Sequence, residues 1–396
     1  MAGNQREMHR KEKRAQKDRK NKIIVWTIIV LIIIVLAVMK ICEININSVK
    51  EHFTDADGNF TITQGVTEDN FPYNIDSSRN VTLKEVNKKI GVLTPTSFTV
   101  LDSKNADVKY TFDHGYSNPI MKSSGIYTLI FDQGDKSFRL DTTSDNVYEN
   151  EAKTNIFCAD VAKNGSVAYA AASKEKKCDI YVYNKSLKEQ LSYSISDGYV
   201  IDIAINDSGN KISFVTVNSK NAQLKSTLYI MNVGENEIKE KLDLPEGNVV
   251  KIKYSSNNIY VIGDSFLSVI SNQKKVRTVY KQGSISTVAY TFTPSNELVL
   301  IYNSYTNSTD NVIARVKSNG KIRKEGKISG NVKSVSASSN IVSVLTGNEI
   351  ASFKLSNLEN TGSTAVDDSV KSICRMGTEV FVHRQSLIDR SEAEED

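Results

Sequence analysis

Residue types that commonly carry catalytic chemistry are scarce in this 396-residue chain, which has four cysteines, four histidines and one tryptophan. Four cysteines are too few for a disulfide-dense scaffold. Glycine-rich phosphate loops and the signatures of Ser-His-Asp hydrolases are also absent from the sequence. The sequence therefore identifies no catalytic, cofactor-binding or metal-binding residue, and we expect no cofactor.

The one long apolar run, Ile23 to Met39, directly follows a basic tail with nine Lys/Arg and three Asp/Glu in residues 1–22. As a helix this run would extend over about 26 Å, near the lower limit for crossing a bilayer, and Lys40 can snorkel so that Cys42 lengthens the span. No small-residue cleavage site follows, which favours an uncleaved anchor over a signal peptide. The positive-inside rule places the tail in the cytoplasm and the remainder outside.

These features predict a single-pass plasma-membrane protein, and five segments follow from them. The segments are a cytoplasmic tail (1–22), a transmembrane signal-anchor helix (23–42), a linker (43–59), an extracytoplasmic domain (60–390) and an acidic disordered end (391–396). We interpret the basic tail as a topology signal at lipid headgroups; binding of nucleic acid or anionic lipid is the alternative. The formal net charge is +4 for the whole chain and +6 for the tail alone, so the rest of the chain has a net charge of −2. We therefore expect no nucleic-acid partner for the exported domain.

Helical spacing is hard to find after the apolar run, and short strands separated by Ser, Asn or Gly turns recur instead. Eight residues mark equivalent places in successive units, with gaps of 36, 41, 45, 47, 39, 43 and 39 residues. The marks are Ile90, Ile126, Val167, Ile212, Ile259, Leu298, Ile341 and Val380. A repeat near 40 residues with four strands in each unit is typical of β-propellers.

Each unit repeats the same order of strands. A first strand precedes the mark, as in VIDIAI (200–205) and VVKIKY (249–254), and a third follows it, as in TLYIMN (227–232). A more polar fourth strand, such as EIKEKLDL (237–244), fits the exposed outer edge of a blade. We predict an all-β, eight-bladed propeller. Seven blades is the alternative, because the first unit, Val81 to Phe112, is the least regular.

The last unit ends after its third strand, near Ile388, and a closed ring needs a fourth strand there. The segment from Phe60 to Ile75 is the natural donor, since it precedes the first complete unit. The same order of strands bears on the cysteines. It places Cys158 in a first strand and Cys178 in the third strand of the same blade, about 9.6 Å apart and beyond disulfide reach. We therefore predict small, buried, free thiols, while an external location would permit one bridge, and a pairing of Cys374 with another thiol is the alternative.

One acidic stretch looks like the start of a calcium loop. Asp55 to Phe60 (DADGNF) has alternating carboxylates, but an EF-hand needs glycine at its sixth position and glutamate at its twelfth, where this chain has Phe60 and Val66. We interpret the stretch as a polar turn before the closing strand, and a weak cation site is the alternative.

The exported histidines, His52, His114 and His383, are far apart in sequence, although a ring of strands could bring two of them together. Metal sites usually need ligands clustered at short spacing, so we predict surface or strand-packing roles for all three. Asp113, His114 and Gly115 are adjacent, but with no nucleophile nearby we read them as a turn.

The basic tail, the apolar run and repeats such as SGNKISFVTVN (208–218) resemble a family of membrane-anchored propeller proteins, labelled as a domain of unknown function, from low-GC Gram-positive bacteria. More loosely, the repeats look like WD40 and quinoprotein-type propellers without the Trp-Asp dipeptide. The single tryptophan, Trp26, lies in the apolar run, so the tryptophan docking motifs of quinoproteins are missing. The resemblance implies a fold and a membrane location but no activity.

Two functional hypotheses remain, and the sequence favours the first. One is a binding or scaffold module whose loop faces contact an envelope protein or a cell-wall polymer. The other is a hydrolase or lyase acting on polysaccharide, with carboxylates that converge at the propeller axis. Residues that meet there are far apart in the sequence, so the sequence does not show which carboxylates are neighbours. A sensor signalling through the short tail is a further alternative that would need a second membrane partner.

Overall fold

The computed structural model describes residues 69–220, 223–304 and 310–391. Within this part of the chain, no helix is long and apolar enough to cross a membrane. The predicted tail, transmembrane helix, linker and calcium-like loop lie outside the described residues, as do His52 and residues 392–396 of the acidic end.

Strands and short turns make up the described part of the chain, and they form eight antiparallel sheets of four strands each. Blade 1 contains β2 (Thr82–Val86), β3 (Lys89–Leu93), β4 (Ser97–Leu101) and β5 (Val108–Asp113), and blade 2 contains β6 (Pro119–Ser124), β7 (Tyr127–Asp132), β8 (Ser137–Asp141) and β9 (Asn146–Glu151). Blade 3 contains β10 (Ile156–Val161), β11 (Val167–Ala172), β12 (Cys178–Tyr183) and β13 (Glu189–Ile195), and blade 4 contains β14 (Tyr199–Ile205), β15 (Lys211–Lys220), β16 (Gln223–Asn232) and β17 (Ile238–Asp243).

The second half of the ring repeats this arrangement. Blade 5 contains β18 (Val249–Ser255), β19 (Asn258–Gly263), β20 (Leu267–Ser271) and β21 (Lys275–Tyr280), and blade 6 contains β22 (Ser286–Phe292), β23 (Leu298–Asn303), β24 (Asp310–Val316) and β25 (Ile322–Ser329). Blade 7 contains β26 (Ser334–Ala337), β27 (Ile341–Leu345), β28 (Glu349–Lys354) and β29 (Asn360–Ala365). Blade 8 contains β30 (Val370–Met376), β31 (Glu379–Arg384), β32 (Leu387–Arg390) and the N-terminal strand β1 (Tyr73–Asn74). The prediction of an eight-bladed propeller is confirmed, and the seven-bladed alternative is wrong.

The hydrophobic core lies between neighbouring blades rather than inside any single sheet. Ile180 of blade 3 and Phe214 of blade 4 belong to one buried cluster. Phe138 of blade 2 packs on Tyr169 of blade 3, with ring centroids 5.3 Å apart. Middle strands are buried on both faces because a blade lies on either side of each sheet, which is why they read as nearly continuous apolar runs. The fourth strands, such as β17, alternate between half-buried and exposed residues.

The N-terminal strand closes the ring by completing the last blade. β1 pairs antiparallel with β32, with Tyr73 opposite Ile388, and the Ile75 amide donates a hydrogen bond to the Ser386 carbonyl at 2.9 Å. Phe71 lies against Phe381, with ring centroids 5.4 Å apart. The predicted closure by the chain ahead of the first unit is therefore confirmed at Tyr73 and Asn74, whereas residues 60–68 of the predicted donor lie outside the described residues. This pairing gives the last sheet the outer strand that it otherwise lacks.

Arg390 joins three separate parts of this closure. Its guanidinium forms an ion pair with Asp69 at 2.8 Å, lies 4.7 Å from the centroid of the Phe71 ring, and donates to the carbonyls of Ser103, at 3.2 Å, and Lys104 in blade 1. The last blade, the N-terminal strand and the first blade thus share one cation. Charge-assisted hydrogen bonds and a cation–π contact are the stronger classes of polar interaction.

We expect Arg390→Ala to destabilise the propeller by about 1.5–3 kcal/mol, because it removes several charge-assisted contacts at once. Chemical denaturation followed by circular dichroism measures the loss. Arg323→Ala is the matched control, since the Arg323–Glu297 contact is a 4.0 Å pair with Arg323 largely exposed, and about 0.5 kcal/mol or less is expected there. Equal losses in the two variants would show that Arg390 does not hold the ring closed.

Candidate functional site

The first strand of each blade lines the axis of the ring. Each first strand contacts the next one around the ring, in the order β22, β26, β30, β2, β6, β10, β14 and β18. At the remaining junction, the Thr287 amide donates to the Asp264 carbonyl at 2.8 Å. Residues of the first strands are therefore brought together around one central channel even where they are far apart in the sequence.

Each first strand has two positions, i and i+2, whose side chains lie at the junction with the first strand of the next blade. Hydrogen bonds across the junctions identify both of them. Asp202 and Ser334, at the first axial position, accept from the amides of Ile252 (2.7 Å) and Ile373 (3.2 Å) in the next blade. Asp160 and Ser336, at the second axial position, accept from the amides of Ile205 (3.2 Å) and Arg375 (2.9 Å).

Strand register gives the equivalent residues in the other blades. The second axial residue of each blade pairs with the same part of its second strand, as in Asp160 with Ala168 and Lys253 with Tyr260. From blade 1 to blade 8, the second axial residues are Lys84, Lys122, Asp160, Ala204, Lys253, Thr291, Ser336 and Cys374. The charged residues are confined to blades 1 to 5, and blades 6 to 8 contribute only neutral side chains at this level.

Asp202 is held in the channel wall by a buried ion pair. Lys251 Nζ donates to both carboxylate oxygens, at 2.8 and 2.9 Å, and both side chains are nearly inaccessible to water. Burial by itself lowers the pKa of Lys251, but the charges of Asp202 and Asp160 outweigh burial and raise it. Lys251 therefore keeps its proton at physiological pH, and the pair acts as a fixed part of the wall.

Asp160 is held in a similar way by Lys253, whose Nζ lies 3.8 Å from the carboxylate. Burial raises the pKa of Asp160, but the positive charges of Lys253, Lys251 and Lys122 outweigh that effect and lower it. A general acid in glycoside hydrolysis needs a raised carboxyl pKa. Asp160 is shifted in the opposite direction, so its environment does not suit that role.

Lys84 and Lys122 lack such partners. Neither ammonium group makes an ion pair or hydrogen bond with any of the described residues. Partial desolvation, followed by the charges of Lys253 and Lys122, lowers the pKa of Lys84 to about 8, although water still reaches this side chain in the channel. The charge of Lys251, followed by burial, lowers the pKa of Lys122.

We call Lys84, Lys122, Lys251, Lys253, Asp160 and Asp202 the axial charge cluster. Four lysines and two aspartates leave a net charge of +2 on its side chains at neutral pH. Both aspartates are bound by lysines and backbone amides, so the excess charge belongs in effect to Lys84 and Lys122. Chemically, the arrangement suits electrostatic binding of an anion.

A second feature, the apolar rim, lies where the first strands of blades 4 to 6 begin. β-bulges insert an extra residue there, since register shifts occur between Val200 and Asp202, Val249 and Lys251, and Thr287 and Ala289. The rim consists of the three inserted residues and one neighbour, namely Tyr199 (52% exposed), Ile201 (39%), Val250 (45%) and Val288 (37%). Exposed apolar residues grouped at one end of neighbouring strands are typical of a contact surface.

The residues considered from the sequence do not meet in one site. His114 packs on Tyr116, with ring centroids 4.9 Å apart, and its Nδ1 accepts from the Tyr116 amide. His383 is buried in blade 8, where its ring contacts the Gln385 carbonyl. Both lie in strand or turn packing, as predicted. Among the described residues, no group of three His, Cys, Asp or Glu could hold a metal ion.

The cysteine prediction is confirmed, since Cys158, Cys178 and Cys374 are free and buried. Cys158 and Cys178 lie on β10 and β12, with β11 between them. Cys178 Sγ accepts a hydrogen bond from the Val200 amide in the next blade at 3.2 Å, and burial raises the pKa of its thiol. The buried thiols therefore have packing roles and little thiolate character.

Comparison with solved structures shows the fold. The computationally designed protein Ika8 aligns with a TM-score of 0.57 at 11% identity, covering 81% of this chain and 98% of Ika8. The C-terminal WD40 domain of Sif2 aligns with a TM-score of 0.56 at 11% identity, covering 82% and 99%. Apo AztD from Citrobacter koseri aligns with a TM-score of 0.51 at 9% identity, covering 72% and 86%. At these identities the likeness concerns the fold alone.

Two further comparisons concern the sequence. The search of curated proteins gives no match. The sequence profile of DUF5711, a family of unknown function, matches residues 67–391, which include every described strand. The propeller fold suggests a protein-binding or scaffold module, because it presents loops on two faces of a closed frame.

Proposed function

The chain belongs to the DUF5711 family of unknown function, and we propose that it is a binding or scaffold module anchored in the membrane. Its propeller is held outside the cytoplasm and docks another protein of the cell envelope. The basic tail and the apolar run, Ile23 to Met39, support the anchor and its orientation. This location is a proposal from the sequence.

The apolar rim is the observation that carries the binding role. It combines an aromatic and three aliphatic side chains on strands that the ring keeps fixed, and a group of exposed apolar side chains of this kind is typical of a protein contact surface. The long hairpin of β15 and β16 extends from the same face, since it joins the second and third strands of blade 4. Leu224 near its tip is 58% exposed. A protein partner on this face is therefore preferred to a cell-wall polymer.

Site-specific photocrosslinking in intact cells tests this proposal. A photoreactive amino acid replaces Ile201 in the full-length chain, and adducts are identified by mass spectrometry. The matched control places the same group at Lys274, an exposed residue in the turn between β20 and β21 on the opposite face of the ring. We expect one recurring envelope protein from position 201 and none from position 274.

Other results would change the proposal in distinct ways. Adducts with glycan alone would transfer the role to the cell-wall polymer. No adduct from either position, at good recovery of the protein, would overturn the use of this face. Labelling of intact cells with a membrane-impermeant amine reagent tests the location separately. Exposed lysines such as Lys274 should react before lysis, and protection of all of them would contradict an extracytoplasmic propeller.

A further inference from the structure

The axial charge cluster has an excess of positive charge that nothing within the described chain neutralises. Asp202 and Asp160 are paired with Lys251 and Lys253, whereas Lys84 and Lys122 have no bonded partner. Like charges that a rigid wall holds near one another repel, and a bound anion would offset that repulsion. These two lysines lie at the same level of the channel, on the first strands of adjacent blades.

We propose that the central channel is a binding site for a phosphate-class dianion, with Lys84 and Lys122 as its principal contacts and Lys251 and Lys253 as supporting charges. A net charge of +2 matches a dianion, whereas a single carboxylate would leave one positive charge unbalanced. Ammonium groups approaching from different strands suit a tetrahedral oxyanion, because lysine binds phosphate as a compact point charge. The site is independent of the protein partner proposed above and of the membrane location.

The uneven distribution of lysines around the ring favours one defined anion site over nonspecific attraction of anions. At the second axial position, blades 1, 2 and 5 contribute lysines, while blades 6 to 8 contribute Thr291, Ser336 and Cys374. The bound anion would therefore lie off the axis, on the side of blades 1 and 2. Desolvation, followed by the charges of Lys253 and Lys122, lowers the pKa of Lys84, and the charge of Lys251 lowers that of Lys122, so both shifts include repulsion from other lysines that an anion would relieve.

Calorimetric titration of the full-length chain in mild detergent, at pH 7.5 and constant ionic strength, tests the proposal. Inorganic phosphate and glycerol phosphate are the two probes, and sodium acetate is the control anion. We expect saturable binding of one phosphate group per chain and no saturable binding of acetate. Tighter binding of inorganic phosphate would identify free phosphate as the source, and tighter binding of glycerol phosphate would identify a phosphate ester. Absence of saturable binding by both probes would overturn the proposal.

Lysine variants assign the binding to the channel. Lys84→Gln and Lys122→Gln should each weaken phosphate binding roughly tenfold, about the loss expected for one charge-assisted contact. The double variant should show no saturable binding. Lys174→Gln, an exposed lysine between β11 and β12, is the control and should leave binding unchanged. Unchanged affinity in the double variant would place the anion elsewhere and overturn the assignment.

Thermal stability separates binding from a structural role for these lysines. Removing an unpaired charge relieves repulsion, so Lys84→Gln should match or exceed the wild-type melting temperature without phosphate, and a given phosphate concentration should raise it less than in the wild type. A lower melting temperature without phosphate, combined with a normal response to the anion, would show that Lys84 supports the wall and does not bind.

Discussion

Replacing Arg139 with alanine is expected to destabilise the propeller by about 3–5 kcal/mol, the range for removing one partner of a buried ion pair. Arg139 contacts Asp141 through Nε and Nη2, each at 2.9 Å, and Asp141 is completely buried. The Tyr110 hydroxyl and the Asn146 amide donate to the same carboxylate, each at 2.9 Å. The guanidinium also lies 3.4 Å from the centroid of the Phe112 ring, across the junction of blades 1 and 2.

The physical reason for this loss is the carboxylate that remains. Without Arg139, Asp141 stays buried with two neutral donors and no cation, and it must either hold an unpaired charge or take up a proton. Equilibrium unfolding in denaturant measures the effect. Lys225→Ala is the matched control, because Lys225 pairs with Asp243 at 2.8 Å while both side chains are exposed, and a loss of about 0.5 kcal/mol or less is expected. A loss below about 1 kcal/mol for Arg139→Ala would contradict the importance of this network.

Asp202→Ala is the second substitution with a large expected effect, about 3 kcal/mol or more at neutral pH. It removes the acceptor of the Ile252 amide and leaves the Lys251 ammonium buried beside other lysines. In the wild type, the pKa of Lys251 is raised, so the pair contributes fully below the unfolded lysine pKa of 10.5. In the variant, Asp160 still favours the charged form of Lys251, and we expect burial to outweigh it and to lower the folded pKa below that value.

The sign of the pH dependence follows from this difference. An unpaired, buried lysine costs most while it stays protonated, and the cost falls as pH rises through its lowered folded pKa. The deficit of Asp202→Ala should therefore shrink between pH 7 and pH 10, as measured by denaturant unfolding at several pH values. Phosphate should restore part of the lost stability, because the variant channel has one more unbalanced positive charge. Asp207→Ala, which removes an exposed pair with Lys163, is the control and should show neither effect. A deficit that stays constant with pH would contradict the assigned role of Lys251.

Much of the fold could be predicted from the sequence because each blade repeats the same local physics. A turn, an apolar strand and a polar edge strand recur at nearly constant spacing, and this period sets the number of blades. Closure by the N-terminal strand followed from the last unit, which ends near Ile388 without an outer strand. Tyr73 does lie opposite Ile388. The bounds of first strands were less regular, since β26 begins at Ser334 while the pattern VKSVSA begins at Val332.

The axial charge cluster could not be identified from the sequence in the same way. Lys84 belongs to blade 1 and Lys253 to blade 5, and in a chain with 50 Lys and Arg neither lysine is conspicuous. One signal was available. When the first strands VIDIAI and VVKIKY are aligned, Asp202 falls beside Lys251, and the alternation places Lys253 two residues further. Only the ring geometry shows that these positions face one another across junctions.

The apolar rim was missed for a different reason. Ile201, Val250 and Val288 stand next to other apolar residues in the sequence, so they read as parts of buried strands. The β-bulges place two residues opposite one partner, which breaks the alternation and exposes the inserted side chain. Such bulges depend on the pairing with the second strand, and a pattern of apolar residues along one strand does not contain that information.

Linkage between anion binding and protonation tests the central claim, that the axis is an anion site, most directly. The charged and titratable groups around Lys84 are Lys122 on β6, Asp160 on β10, Lys251 and Lys253 on β18, Cys374 on β30 and Glu85 on its own strand. Because the pKa of Lys84 is about 8, this side chain is largely neutral at pH 8.5 in the free protein. A bound dianion favours the ammonium form and raises that pKa, so binding must take up protons.

The measurement is calorimetry of sulfate binding, since sulfate does not titrate in this range, in two buffers of different ionisation enthalpy. The account predicts uptake of a substantial fraction of a proton at pH 8.5, almost none at pH 6.5, and an affinity that falls as pH rises from 7 to 9.5. Lys84→Arg, which stays charged throughout, should bind sulfate with reduced proton uptake and a weaker dependence on pH. Binding without proton uptake at pH 8.5, equal in the wild type and Lys84→Arg, would contradict an anion site at the axis.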